Sequence, residues 1–241
     1  MNSPLKQFVI QKIFPIHWAG YDLSVTNSTI FMLIALGFSM FIFTRSIVRG
    51  TLVPGRLQVV AEGLISTILQ LMKDNVAPEG RQYFPLIFSA FIFILFGNLL
   101  GLIPGAFTVT SHIVVTLAFG FMIFFLITII GFMRHGLGFF RKFIPSGVPA
   151  PIMPIIVAVE LISFCFRPFS LGVRLFANML AGHVVLSIFA GFTVSMGVLG
   201  FMPLLTNVLF IGFEVFVSGL QAYIFTVLSC SYLNDVLHLE H

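Results

Sequence analysis

Residues 155–192 read IIVAVELISFCFRPFSLGVRLFANMLAGHVVLSIFAGF, a run of 38 residues that is apolar apart from a few isolated polar side chains. A second run, LLTNVLFIGFEVFVSGLQAYIFTVLSCSYL over residues 204–233, follows after a short connection. A helix needs only about 20 apolar residues to cross the hydrocarbon of a bilayer, whereas straight helices of these lengths would extend about 57 and 45 Å. The two runs therefore predict a membrane-embedded hairpin of long helices that tilt steeply or kink at Pro168.

The composition of the whole chain indicates the same environment. Hydrophobic residues make up 59% of the 241 residues and charged residues only 8%, against about 25% charged in soluble domains. The basic residues are scattered singly, so the net charge of +4 does not indicate a nucleic-acid partner. Cys165 and Cys230 both lie in apolar runs, which favours free thiols over a disulfide. Neither a metal-ligand spacing nor a nucleotide-binding motif occurs, so we expect no metal, no other cofactor and no catalytic site within this chain.

The rest of the chain supplies further helices. We predict an all-α polytopic membrane protein with a single membrane domain (1–241), about five membrane-embedded helices and one amphipathic interfacial helix. Its parts are an N-terminal segment (1–27), a first spanning helix (28–49), the amphipathic helix (54–74), a helix pair (83–135) and the long tilted hairpin (152–235).

The basic residues also predict an orientation. Most Lys and Arg residues follow the first helix, the amphipathic helix and residue 133, whereas the connections 104–111 and 195–203 contain none. By the positive-inside rule, the N-terminus lies outside and the C-terminus lies inside.

Polar residues interrupt the two long segments at a regular spacing. Two sets recur every seven residues, namely Glu160, Arg167 and Arg174 on the first segment and Asn207, Glu214 and Gln221 on the second. Seven residues are nearly two helical turns, so each set lies on one face, whereas His183 lies about 180° round the helix from Arg174. A charge at the centre of a bilayer costs several kcal/mol, so these stripes favour a role in ion translocation.

Structural roles are open for some of these residues. Arg167 precedes a proline and is a candidate to satisfy the backbone carbonyl that this proline leaves free. Glu160 is a candidate ion-pair partner of Arg167. Asn207 and Ser218 are typical of hydrogen bonds between packed helices. Asn98 is an isolated polar group at mid-membrane, either a packing contact or part of an entry path.

Several motifs resemble a known family. The stretch RPFSLGVRLFANMLAGH over residues 167–183 resembles the signature of subunit a, the stator proton channel of F-type ATP synthases. Further matches are LQAYIFT (220–226), NLLGLIP (98–104), FTVTSH (107–112) and YLND (232–235). The resemblance covers essentially the whole chain in order.

The resemblance implies a role for each matching residue. It makes Arg174 the arginine that faces the rotating c-ring and Glu160 the carboxylate of the outlet to the inner side. Glu214 and His183 match the pair that lines the inlet from the outer side, and Asn178 and Gln221 lie beside the ring. Beside these six residues, we name Arg167, Asn98, Ser218 and Asn207 as candidates for lesser roles. Asn98 stands where other members of the family have an aspartate.

The implied partners are the c-ring, the b-type subunits of the peripheral stalk, the lipid bilayer and protons. The implied location is a bacterial inner membrane, with a mitochondrial inner membrane as the alternative. Two other classes are a secondary transporter and a purely structural membrane subunit. A transporter would favour repeated halves around a central pocket, whereas this sequence has no internal repeat and arranges its polar residues in stripes.

Overall fold

The computed structural model describes residues 12–15, 17–18, 21–22, 24–48, 55–76, 78–103, 106–144 and 151–238. These residues form six α-helices, namely α1 (Asn27–Val48), α2 (Arg56–Asn75), α3 (Phe84–Gly101), α4 (Ile113–His135), α5 (Met153–Ser195) and α6 (Phe201–Leu237). Four short strands precede α1 as two antiparallel pairs, β1 (Lys12–Phe14) with β4 (Val25–Thr26) and β2 (His17–Trp18) with β3 (Tyr21–Asp22). The predicted all-α polytopic class is confirmed, because five helical segments are long and apolar enough to cross a membrane.

Helix α2 differs from the other five. It buries Ala61, Ile68, Leu71 and Met72 along one face, and it exposes a polar face on which the Gln58 side chain donates a hydrogen bond to Glu62 Oε1 at 2.8 Å. An apolar stripe opposite a polar one is typical of a helix that lies along a boundary. The helix is not among the five segments that could span a membrane, and its interfacial position stays a prediction.

Helices α5 and α6 form the predicted hairpin. They contain 43 and 37 residues, so they extend about 65 and 55 Å and exceed a hydrocarbon layer of about 30 Å. Helix α5 remains helical through Pro168. The chain reverses at Gly197, whose φ of 56° is a backbone conformation that glycine adopts without strain. Both cysteines are free thiols, Cys165 exposed and Cys230 buried.

Helices α4 and α5 cross at a pair of glycines. A Cβ atom added to Gly172 would lie 2.9 Å from both the Cα of Leu117 and the carbonyl oxygen of Thr116. A Cβ atom on Gly120 would lie 2.9 Å from the carbonyl oxygen of Pro168. Small residues that allow two backbones to touch are a common basis of helix packing in membranes. This contact fixes the depth of α5 relative to α4.

We expect Gly172→Ala to destabilise the protein. The new methyl group meets backbone atoms that no side-chain rotation moves, and such overpacking costs about 1–3 kcal/mol. Thermal unfolding of the purified protein in detergent should therefore shift to lower temperature. The matched control is Gly191→Ala in the same helix, where an added Cβ atom has nothing within 4 Å. Equal melting temperatures for the two variants would contradict the close crossing.

Candidate functional site

Arg174 is the central feature of the hairpin. It is the twenty-second of the 43 residues of α5 and lies on an exposed face. Among the described parts of the chain it has neither an ion-pair nor a hydrogen-bond partner. Its neighbours along this face are small exposed residues, Ser170, Ala177 and Ala181. Charged side chains inside membranes almost always pair with another group, so this exposed arginine is a candidate functional residue.

A cluster of buried polar side chains lies beyond Arg174, on the side of the α5–α6 turn. We call it the outer cluster. Its members on α3, α5 and α6 are each less than 10% exposed, namely Asn98, His183, Glu214, Ser218 and Gln221. Burying polar groups among apolar helices costs free energy unless they find partners, so the grouping of five such residues in one place is a candidate site.

The connection between α3 and α4 completes the outer cluster. It folds into the protein, so that Thr108, Thr110 and Ser111 are buried. The Thr108 hydroxyl lies 2.9 Å from His183 Nε2 and donates a hydrogen bond to the Gly101 carbonyl oxygen at 3.2 Å. Non-helical backbone at membrane depth is tolerated only where protein buries it or where it lines a water-filled cavity. Thr108 of the predicted outer loop is therefore part of the site.

The Glu214 side chain packs against α5 at Gly182, a position without a side chain. A Cβ atom on Gly182 would lie 2.7 Å from the carboxyl carbon of Glu214, so only glycine leaves room for this side chain. Both carboxylate oxygens are buried without a hydrogen-bond donor among the described residues. Beside them, Asn98 Nδ2 donates a hydrogen bond to the Ser218 carbonyl oxygen at 3.4 Å. Asn98 is thus a contact between α3 and α6 within the same cluster.

A second cluster lies at the opposite end of the hairpin, and we call it the inner cluster. Arg167 Nη1 donates a hydrogen bond to Asp235 Oδ2 at 2.7 Å, and Arg167 Nη2 lies 3.9 Å from Glu160 Oε1. Lys142 Nζ lies 3.8 Å from the same Asp235 oxygen. The Arg167 guanidinium also lies over the Tyr232 ring, 4.9 Å from its centroid. The two carboxylates and two cations balance in charge.

The inner cluster borders an open cavity of about 250 Å³. The cavity is lined by Lys142, Glu160, Arg167, Asn234, Asp235 and His238. The Glu160 side chain is 39% exposed and is the more loosely paired of the two carboxylates. The cavity therefore leaves the Glu160 carboxylate accessible to water.

The structure brings most of the predicted residues together. Glu160 and Arg167 share a face, as their spacing predicts, and the side chain of Arg167 pairs with carboxylates. Asn178 and Asn207 are half-buried on α5 and α6, outside both clusters as we define them.

Sequence analysis did not identify three residues of the two clusters, namely Thr108, Lys142 and Asp235. Thr108 and Asp235 lie within the matching motifs FTVTSH and YLND, which was the available signal. Lys142 lies in the connection after α4, and nothing in its sequence context links it to α6.

The fold and the site define a class, that of multi-pass α-helical membrane proteins with ionisable side chains buried between apolar helices. A family model described as ATP synthase A chain matches residues 25–234. The chain is 47% identical to ATP synthase subunit a of Rhodospirillum rubrum over 241 residues, the full length of both proteins. It is 45% identical to ATP synthase subunit a of Pelagibacter ubique, over the whole chain and 99% of that relative. The chain therefore belongs to the ATP synthase subunit a family.

Family membership has direct consequences. The chain is a stator component of F0, the membrane sector of the ATP synthase, together with other subunits of that complex. It serves ATP synthesis coupled to hydrogen-ion transport. Its bacterial relatives and its five apolar helical segments assign it to the multi-pass proteins of the bacterial inner membrane.

We expect Gly182→Ala to disturb the outer cluster. The new methyl group overlaps the Glu214 carboxyl group, which must move, and a displacement of about 1 Å at a reacting group costs up to about a hundredfold in rate. ATP synthesis in vesicles bearing the assembled complex should fall at least tenfold, by the same argument. Gly219→Ala on α6 is the control, because a Cβ atom there has nothing within 4 Å. A wild-type rate for Gly182→Ala would show that this contact does not hold Glu214.

We expect Asp235→Asn to weaken the inner cluster. It leaves Arg167 and Lys142 without their shared carboxylate, and the cost should be about 1 kcal/mol, limited by solvent because the Asp235 side chain is 37% exposed. Thermal unfolding measures the change, and the double variant with Lys142→Met should recover part of it because one unpaired cation is removed. Arg141→Met, at an exposed neighbouring position, is the control. Strictly additive effects of the two substitutions would contradict the coupling.

Proposed function

We propose that this chain provides two offset half-channels that carry protons to and from carboxylates of the c-ring, so that proton flow drives rotation and ATP synthesis. The observation that carries the proposal is the arrangement along α5. An exposed arginine without an ion-pair or hydrogen-bond partner in the described residues stands between a buried polar cluster and an open charged one. Two separate polar regions on either side of one fixed charge are what two half-channels require.

The outer cluster is the proposed inlet. Glu214 and His183 take up protons from the outer side and pass them to a ring carboxylate. Glu214 suits this role because both of its oxygens lack a hydrogen-bond donor in the described structure and therefore remain acceptors. The polar lining of the inlet is supplied by Asn98, Ser218 and Gln221, which are all buried. Two half-buried residues, Asn178 and Asn207, are proposed to lie beside this proton path or between helices.

Arg174 is the proposed barrier between the two half-channels. Its fixed positive charge favours the ionised form of a ring carboxylate and repels a proton that would cross directly. Arginine suits the position because its guanidinium group stays charged when it is removed from water, whereas a lysine loses its proton more readily. The small residues Ser170, Ala177 and Ala181 on the same face allow a ring helix to approach closely.

The inner cluster is the proposed outlet. A ring carboxylate crosses the lipid in its neutral form, because an ionised one is costly there. After nearly a full rotation it releases its proton toward Glu160 and the cavity of about 250 Å³. Arg167 holds this end of the path in place through Asp235 and Glu160. Each proton that crosses 100 mV delivers about 2.3 kcal/mol to rotation.

The proposed partners and orientation follow from the same arrangement. The exposed apolar faces of α5 and α6, with Phe166 and Phe216 about 60% or more exposed, are the proposed contact with the c-ring. The b-type subunits of the peripheral stalk are the further proposed partners, since they belong to the same stator. We propose an external N-terminus and an internal C-terminus, because the connections 104–111 and 195–203 contain no Lys or Arg.

The deciding experiment compares wild type with Arg174→Ala in vesicles bearing the assembled complex. The variant should assemble, synthesise no ATP under a proton gradient and conduct protons passively, because the barrier between the half-channels is removed. Arg141→Ala, which removes an exposed arginine of the α4–α5 connection, should match the wild type. ATP synthesis near the wild-type rate in Arg174→Ala would overturn the proposal, and failure of that variant to assemble would favour a structural role.

A further inference from the structure

Thr108 contacts the side chain of His183, and the inference drawn from this contact rests on the proposed function of His183 in the inlet. Thr108 lies in the connection between α3 and α4 and is only 3% exposed. Its hydroxyl oxygen lies 3.2 Å from the Gly101 carbonyl oxygen and 2.9 Å from His183 Nε2. Both distances are those of hydrogen bonds, so this single hydroxyl serves two partners.

If both contacts are hydrogen bonds, the count of protons assigns the donor of each. A carbonyl oxygen only accepts, so the one hydroxyl proton of Thr108 points to Gly101. The second bond then requires the hydroxyl oxygen to accept and His183 Nε2 to donate. In a neutral imidazole only one ring nitrogen carries a proton, so the proton of neutral His183 resides on Nε2.

We propose that Thr108 is a positioning residue of the inlet, which holds His183 as the Nε2–H tautomer and makes Nδ1 the atom that gains and loses the transported proton. In this arrangement, Nε2 of His183 keeps its proton, whereas Nδ1 gains and loses one. In proteins the hydrogen bond at one ring nitrogen commonly decides the state of the other. Removing the threonine hydroxyl takes away this constraint on the ring, so that both tautomers become populated and proton transfer loses its fixed geometry.

The surrounding backbone is built to keep Thr108 in this place. A Cβ atom on Gly101 would lie 2.7 Å from the Thr108 methyl carbon, so glycine is needed for the connection to approach α3. The Ser111 hydroxyl donates a 2.6 Å hydrogen bond to the Thr108 carbonyl oxygen and closes the turn. Connections in proteins usually lie on the surface, whereas this one is buried beside a histidine of the proposed proton path.

Two other titratable groups border this region. Glu214 lies against Gly182, the residue that precedes His183. His112 follows the connection and stacks on Phe107, with ring centroids 4.8 Å apart. Burial lowers the pKa of His112, which keeps that ring neutral near pH 7. Of these two groups, Glu214 is the proposed partner that exchanges protons with His183.

The test uses the complete ATP synthase in vesicles, with histidines labelled with ¹⁵N and the His183 signals identified by their loss in His183→Gln. Thr108→Val keeps the shape of the side chain and removes the hydroxyl, Thr108→Ser keeps the hydroxyl, and Thr110→Val is the matched control. Thr110 is a buried threonine of the same connection whose hydroxyl has no hydrogen-bond partner in the described structure.

We expect the wild type, Thr108→Ser and Thr110→Val to show His183 as the Nε2–H tautomer. Thr108→Val should show mixed tautomers and a proton flux lowered about fivefold, the factor that corresponds to one lost hydrogen bond of about 1 kcal/mol. An Nδ1–H tautomer in the wild type would overturn the proposal, as would an unchanged spectrum and flux in Thr108→Val.

The tautomer of His183 and the proposed inlet are tested by separate measurements. The spectrum tests the tautomer alone and does not depend on the route of the protons. A separate measurement of proton flux in His183→Gln and Glu214→Gln tests the proposed inlet. Wild-type flux in both of these variants would refute the inlet, whatever tautomer the spectrum shows.

Discussion

A positive charge in the middle of an apolar helix is the constraint on which the rest of this structure depends. Arg174 lies halfway along α5, exposed and with neither an ion pair nor a hydrogen bond to the described residues. In lipid such a charge is costly, which supports the proposal that a carboxylate of another subunit pairs with it. In the proposed mechanism, an internal partner would satisfy the arginine permanently, and the site could no longer attract one ring carboxylate after another.

The two clusters beside Arg174 differ in burial and in charge. The inner cluster sets Arg167 and Lys142 against Glu160 and Asp235 beside an open cavity, so its charges balance and solvent screens them. The outer cluster is buried and contains one carboxylate among neutral polar groups. Both oxygens of that carboxylate lack a hydrogen-bond donor among the described residues, which supports the proposed role of Glu214 in passing protons onward. Glycines allow two close contacts of α5. Gly172 allows the backbone of α4 to approach, and Gly182 leaves room for the side chain of Glu214.

The sequence by itself determined the fold class and the boundaries of the helices to within a few residues. These features are local, because apolar length, helical period and isolated charges are properties of short stretches of chain. The spacing of seven correctly placed Glu160 and Arg167 on one face, and the spacing of nine correctly separated Arg174 from His183. The motif around Arg174 pointed to the family to which the comparisons assign the chain.

Only the tertiary structure decided which distant residues meet. Asp235 joins Arg167 across 68 residues, and Thr108 joins His183 across 75. The sequence placed Asp235 at the end of a span and Thr108 in an outer loop, but it contained no signal for either partner. Helical period fixes the direction of a side chain about its own axis, whereas contact between helices depends on their crossing and depth. Between α4 and α5, for example, the crossing depends on close backbone approach at Gly120 and Gly172, a relation between elements that no single stretch of sequence encodes.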